Sequence, residues 1–292
     1  MPKPNILLQL DTDPQPSVFD SVVAIDAGAE HLLRHGGVTP ENVRELVHGA
    51  MFTRGGDDMK HTAIFVGGSD VTVGERLLAA VKKCFFGPVR VSVLIDSHGA
   101  NTTAAAAVLA AGAHATLAQS RALVLAATGP VGARAVRLLA REGAEVWVAS
   151  RSIERARSTC AAVSAAVSGA KLTPVEIGRA DEAAAALKDV QIVIACGAAG
   201  VELLSATAVT GDSGLKVAID LNAVPPAGIG GIEVMDRAKE RSGVVCYGAI
   251  GVGGMKMKIH KAAIRRLFSA NDQVLDAEEI YALGRELAEG SA

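Results

Sequence analysis

At 292 residues, half of them hydrophobic, the chain is long and apolar enough to fill two domain cores, which excludes a disordered segment. A formal net charge of −2 with no Lys/Arg run excludes the electrostatic footprint of a general nucleic-acid binder and points to a small-molecule ligand. Only 3% of residues are aromatic while 31 are glycine, a composition suited to closely packed, helix-covered parallel sheet.

Short apolar runs alternate with longer amphipathic segments along the whole chain, the pattern of successive βα units. In the first third, Asn5–Leu10, Thr62–Val66 and Val89–Ile95 read as strands. A helix is expected from Ser17, with Val18, Val22 and Ile25 on one stripe beside Phe19 and Val23. Thr39-Pro40 reads as a cap followed by proline at the first helical position, Val71–Lys83 as a third helix, and Asn101–Ala111 as a helical passage into the next unit. His31 and His35, four residues apart, could share a metal, but no third ligand accompanies them, so they read as exposed structural histidines and no metal is expected.

From Ala122 the pattern is denser. Strands are predicted at Ala122–Ala126, Glu145–Ala149, Leu172–Ile177, Val190–Ala195, Lys216–Leu221 and Val244–Tyr247, then helices at about Lys258–Phe268 and Ala277–Leu287, the last capped by Asp276. The fold class is therefore α/β: a Rossmann-type doubly wound parallel sheet over 105–271 plus a smaller α/β N-terminal domain over 1–104, completed by the C-terminal helix 272–292. Cys84, Cys160, Cys196 and Cys246 lie far apart and form no CxxC pair, so they are expected to be reduced and structural. No run approaches the roughly 18 apolar residues of a membrane span, and a cytoplasmic location is expected.

The strand Ala122–Ala126 runs into Ala127-Thr128-Gly129-Pro130-Val131-Gly132 before a helix that stops at Gly143. Backbone amides at a helix N-terminus bind a pyrophosphate only where side-chain bulk is missing; Gly129 serves that approach and Gly132 allows close helix–strand packing. Ala127 stands where the usual G-x-G-x-x-G has its first glycine, so the turn must tolerate a β-carbon. After the second strand comes Ser150-Arg151-Ser152-Ile153-Glu154-Arg155, with no carboxylate at the strand end for ribose hydroxyls. Arg151 and Arg155, with Ser150, suit a 2′-phosphate, which makes NADP the expected cofactor with NAD as the second nucleotide. Ala195, Cys196 and Gly197 end the fourth strand and Asn222 follows the fifth, and these complete the expected cofactor contacts.

Substrate contacts are expected from polar strand ends: Asp13 and Asp20 after the first strand, Asn101 and Thr102 after the third, and Gly253, Gly254 and Lys256 in the glycine-rich segment Gly248–His260. Asp20 and Lys256 are the candidate catalytic residues. Capping by Ser17, Asn101 or Thr102 is the competing structural reading, and of Lys258 and His260 at least one reads as solvated or capping.

Taken together, Pro16–Asp20, Thr62–Gly68, Asn101–Ala106, Pro225–Ile232, Gly248–His260 and Asp276–Tyr281 resemble the NADP-dependent methylene-tetrahydromethanopterin dehydrogenases of methylotrophic bacteria over essentially the full length. The resemblance implies oxidation of the methylene bridge on a reduced pterin carrier, tetrahydromethanopterin or its tetrahydrofolate analogue, with hydride passing to the nicotinamide. It also implies a homo-oligomer, and roles for Asp20 in stabilising positive charge and for Lys256 in positioning the carrier. That family has glycine at the position of Ala127. Two other readings compete: a bifunctional methylene-tetrahydrofolate dehydrogenase/cyclohydrolase, whose first-domain tyrosine is not supplied by Tyr247 or Tyr281, and a non-enzymatic NADP(H) sensor.

Overall fold

The computed structural model describes residues 3–209 and 214–290. In chain order the first elements are β1 (Ile6–Asp11), α1 (Val18–Asp26), β2 (His31–His35), α2 (Val43–Phe52), β3 (Thr62–Gly67), α3 (Val71–Lys83), β4 (Ser92–Ile95) and α4 (Ala100–Gly112). There follow β5 (Arg121–Leu125), α5 (Pro130–Arg141), β6 (Glu145–Ser150), α6 (Ile153–Ala166), β7 (Lys171–Glu176), α7 (Ala180–Ala185), β8 (Ile192–Ala195) and β9 (Val217–Asp220). The chain ends with β10 (Lys239–Arg241), β11 (Val244–Tyr247), α8 (Ala249–Leu267), β12 (Val274–Leu275) and α9 (Ala277–Glu289). Two compact units result, one from residues up to Thr102 together with those from Met257 onward, the other Thr103–Lys256. The return crossing falls inside α8, earlier than the 271/272 boundary read from the sequence, because α8 runs unbroken from Ala249 to Leu267.

The first unit is a five-stranded sheet of order β12-β4-β3-β1-β2, every pair parallel. Leu8, Leu10, Ile64, Val66, Val93 and Ile95 from the strands pack with Val47 and Met51 of α2 and with Leu77 and Val81 of α3. Burial of all six residues of β3 marks a central strand covered on both faces. Leu10 pairs with Val66 and Val66 with Ile95, so the carboxyl ends of β1, β3 and β4 lie side by side.

The second unit is a seven-stranded sheet of order β10-β11-β9-β8-β5-β6-β7, parallel except for the β10–β11 hairpin. The chain winds outward from β5 through β6 to β7, then returns to β8 on the other side of β5 and winds the opposite way. That reversal makes the sheet doubly wound and puts its switch point between the carboxyl ends of β5 and β8, where open α/β sheets bind ligands.

Two local expectations, on α1 and α2, are corrected. The Val18, Val22, Ile25 stripe of α1, with Phe19, faces outward, and Val23 and Ala24 are its buried residues. Helix α2 starts at Val43, not after Thr39-Pro40, since the Asn42 side chain folds back to accept the Thr39 amide at 2.8 Å and holds a turn there. His31 and His35 lie on an edge strand, where four residues span about 13 Å, too far to share an ion. Among the described residues no group of three or more His, Cys, Asp or Glu is placed to hold a metal, and no helix is long and apolar enough to cross a membrane.

Candidate functional site

β5 ends at Leu125, and Ala126 turns the chain with φ 54°, a conformation that normally favours glycine. Ala127, at the fingerprint's first-glycine position, is buried with a negative φ, and its amide bonds to Ala149 O at 2.9 Å. The methyl group is thus tolerated because the strained position falls one residue earlier. Gly129 caps α5 without a side-chain bond and Pro130 follows at the first helical position, so the first-turn amides of Val131 and Gly132 have no helical acceptor. A Cβ on Gly129 would meet nothing closer than Ala126 O at 3.5 Å, whereas on Gly132 it would lie 2.7 Å from Ala126 O and 2.8 Å from Ala127 Cα. One glycine keeps the approach to the amides open and the other seats the helix on the strand. Thr128 lies within this turn.

β6 runs beside β5, with Val148 opposite Val124, and brings Ser150–Arg155 next to the turn. Buried Ser150 accepts the Ser152 amide at 3.3 Å, and Ser152 caps α6 by accepting the Arg155 amide at 3.3 Å while donating to Glu154 Oε2 at 3.0 Å. Arg151 and Arg155 are exposed, and neither guanidinium has a hydrogen-bond or ion-pair partner among the described residues. An open helix N-terminus beside two uncommitted arginines fits a dinucleotide carrying an extra phosphate.

Across the switch point, the Cys196 amide bonds Leu125 O at 3.0 Å, which places Ala195, Cys196 and Gly197 beside the turn. Burial, with the Asp220 carboxylate second, pushes the Cys196 thiol up to about 12, so it is protonated at neutral pH. Asn222 follows β9 but spends its side chain on its own loop, donating to Pro226 O and accepting from Val224 N, both at 3.0 Å. Asp220, with no motif in the sequence to mark it, is the organising group there: buried, it accepts from the amides of Asn222, Gly228 and Ile229 at 3.0, 2.7 and 3.2 Å. Burial pushes its carboxyl up against the opposing pull of those three amides.

In the first unit, buried Asp11 accepts the amides of Asp13 and Ser17, each at 3.0 Å, and fixes the β1–α1 loop. Asp13 reaches the β3–α3 loop, accepting the Ser69 amide and hydroxyl, both at 2.9 Å. Ser17 caps α1 by accepting the Asp20 amide, and Asp20 is half-buried in the first turn. Asn101 and Thr102, expected to line a ligand surface, are only 1% and 0% exposed. Asp96 gathers both their amides and the Thr102 hydroxyl, and Asn101 Nδ2 bonds Ile95 O and Asp276 Oδ1, so they belong to the interior of the β4–α4 turn.

The glycine-rich segment is helical rather than a loop. Gly253 and Gly254 lie within α8, and a Cβ on either meets nothing within 4 Å. The close approach occurs instead at Gly248 and Gly251, packed against the backbone of Glu233, Val234 and Asp236. Lys256 is half-buried and is the last residue of the second unit; Lys258 is exposed. His260 is buried with its ring stacked on Phe65 at 5.7 Å. Tyr281 lies within the first unit, buried on α9.

A doubly wound sheet with a glycine-opened helix at its switch point and free arginines at the next strand end defines the class as a Rossmann-type dinucleotide-binding protein. The chain is 46% identical to the "Bifunctional protein MdtA" of Methylorubrum extorquens, over 97% of this chain and 99% of that one. It is 32% identical to the NAD(P)-dependent methylenetetrahydromethanopterin dehydrogenase of the same organism, over 93% and 95% of the two chains. Residues 18–98 match the family model for the N-terminal part of methylene-tetrahydromethanopterin dehydrogenase. The chain belongs to the methylene-tetrahydromethanopterin dehydrogenase family. Its fold is shared with the quinate dehydrogenase of Corynebacterium glutamicum in complex with NAD (TM-score 0.51, 15% identity, 97% and 100% coverage). It is shared also with the shikimate 5-dehydrogenase of Listeria monocytogenes (TM-score 0.52, 12% identity, 97% and 96% coverage).

Proposed function

We propose that the chain is an NADP-dependent dehydrogenase that oxidises methylene-tetrahydromethanopterin, with methylene-tetrahydrofolate as the analogous substrate, to the methenyl form. The observation that carries the nucleotide choice is the pair of uncommitted guanidiniums, Arg151 and Arg155, at a strand end with no carboxylate for ribose hydroxyls. Bound NADP supplies the hydride acceptor. The amides of Val131 and Gly132, left without helical acceptors after Gly129 and Pro130 and flanked by Thr128, hold the pyrophosphate; Ser150 and the arginines hold the 2′-phosphate. Ala195–Gly197, at the carboxyl end of β8 beside the turn, take the rest of the dinucleotide.

Oxidation breaks the methylene C–H bond with its electron pair, and the adjacent nitrogen lone pair delocalises the resulting charge as an amidinium. No acid–base pair is required, so the protein's task is to position two rings. Asp13 and the Asp20 carboxylate belong to the carrier side, Asp20 offsetting the positive charge, and Lys256 positions the carrier. The outward apolar stripe of α1 supports a homo-oligomer, and we place the protein in the cytoplasm.

The test follows NADPH formation with each methylene carrier, using NADP and NAD in parallel. Turnover with tetrahydromethanopterin and a preference for NADP are expected. Nucleotide binding without hydride transfer from either carrier would leave a sensor, and release of the hydrolysed formyl product would favour the dehydrogenase/cyclohydrolase reading.

A further inference from the structure

We propose that His98 is a substrate-binding residue whose imidazole hydrogen-bonds the pyrimidinone edge of the reduced pterin carrier, working with Asp13; the inference rests on the proposed function. His98 follows β4 with φ 57°, a left-handed conformation that costs a non-glycine residue on the order of 1 kcal/mol and concentrates at functional sites. Only one other non-glycine residue takes a positive φ on a turn leading from a parallel strand into a helix among the described residues, Ala126 of the nucleotide turn. The corresponding place in the first unit is taken by a residue with a chemically useful side chain.

That side chain is exposed and has no hydrogen-bond partner among the described residues, while its backbone is firmly held, the His98 amide bonding Gly68 O at 2.7 Å. The next residue along, Ser69, donates its amide and hydroxyl to Asp13. Gly68–Ser69 therefore ties the β4 turn to the β1 loop and sets an imidazole and a carboxylate on one stretch of the carboxyl edge, where parallel sheets receive ligands. Each Asp13 oxygen retains a lone pair toward an exocyclic amino group and ring N–H, and an imidazole N–H suits the ring carbonyl. Gly68, at φ 111°, has no room for a Cβ beside the Thr12 hydroxyl, so the β3–α3 loop passes close to the β1–α1 loop there.

His98→Gly removes the imidazole and the strain together; His98→Asn keeps tolerance of the left-handed conformation and an amide donor. His98→Gly is expected to melt at or above the wild-type temperature yet raise KM for the methylene carrier about tenfold, the size of one lost hydrogen bond, with KM for NADP unchanged. His98→Asn is expected to recover part of that loss. An unchanged carrier KM in both variants overturns the proposal, as does a parallel rise in both KM values with a lower melting temperature. Calorimetric titration with tetrahydromethanopterin separates this from the parent reading. An inactive wild type that binds the carrier, more weakly in His98→Gly, keeps His98 and sinks the reaction; a wild type that binds no carrier sinks both.

Discussion

Gly129 and Gly132 are three residues apart in one turn, yet the same substitution should act on them in opposite ways. A methyl on Gly132 meets backbone atoms of Ala126 and Ala127 at 2.7–2.9 Å, which cannot rotate away. Gly132→Ala is therefore expected to lower stability by about 1–3 kcal/mol, the range for overpacking, outweighing the roughly 1 kcal/mol helix-propensity gain; chemical denaturation measures it. Gly129→Ala has room in the folded chain and should melt near the wild-type temperature, while its methyl obstructs the amides and raises KM for NADP. Equal melting losses in the two would contradict these assignments. For the arginines, each charge-assisted phosphate contact contributes about 1.5–3 kcal/mol, so Arg151→Ala with Arg155→Ala should raise KM for NADP by at least about a hundredfold and leave NAD nearly unaffected. Residue chemistry of this kind was legible in the sequence because spacing alone fixes it. Transfer of the left-handed φ from the fingerprint position to Ala126, and the central place of Asp220, were not, because both depend on backbone paths that converge only in the fold.

Helix α8 shows how an element is set by a neighbour distant in sequence. Gly248, just before it, and Gly251, in its first turn, pack against the backbone of Glu233–Asp236, and that segment is pinned where Arg241 grips Asp236 with two bonds, at 2.7 and 2.8 Å. Burial pushes the Asp236 carboxyl up, but the Arg241 guanidinium, the Glu233 amide and Lys239 outweigh it and hold the group below its ordinary value of 3.8. The interaction is therefore present above pH 3.8 and lost as pH falls through the depressed folded value. Breaking a fully buried pair costs about 3–5 kcal/mol, but Arg241 is 30% exposed and keeps a 3.1 Å contact with Glu233. Asp236→Asn should thus cost about 2 kcal/mol at pH 7, reduced from the buried-pair range, and the gap from wild type should narrow below pH 3.8 in urea denaturation. The dependence explains why the sequence pattern starts this helix at Lys258: three glycines, with no Ser, Thr, Asp or Asn just ahead of them, conceal nine residues of helix whose support lies elsewhere. Helix α3 needs no such help, since Asp70 caps it by accepting the Val73 amide and its apolar spacing is unbroken, and it spans Val71–Lys83 in both readings. Strands β2, β10 and β12, short and on or near sheet edges, carry too little buried alternation to be seen in advance.

At the scale of the molecule, the helical stripe that the sequence pattern directs toward a core is left in solvent. Val18, Phe19, Val22 and Ile25 are 68%, 53%, 56% and 52% exposed on α1, and Leu33, 48% exposed, lies on the edge strand β2 next to it. Scattered apolar residues on a surface are ordinary, but four on one nine-residue helix beside an unpaired strand edge form a contiguous patch of the kind monomers avoid. Burying such a side chain contributes about 1.5–3 kcal/mol each, enough in sum to offset the loss of rotational and translational freedom on association. A second copy is the occupant consistent with the proposed homo-oligomer. Size-exclusion chromatography with light scattering should find the wild-type chain associated at micromolar concentration and the Val18→Glu, Val22→Glu variant monomeric. Because both side chains point into solvent, the substitutions should leave the unfolding free energy of the isolated chain within about 0.5 kcal/mol, so a mass change without a fold change isolates the interface. A wild-type monomer at that concentration, or a variant that still associates, would remove α1 from any account of assembly.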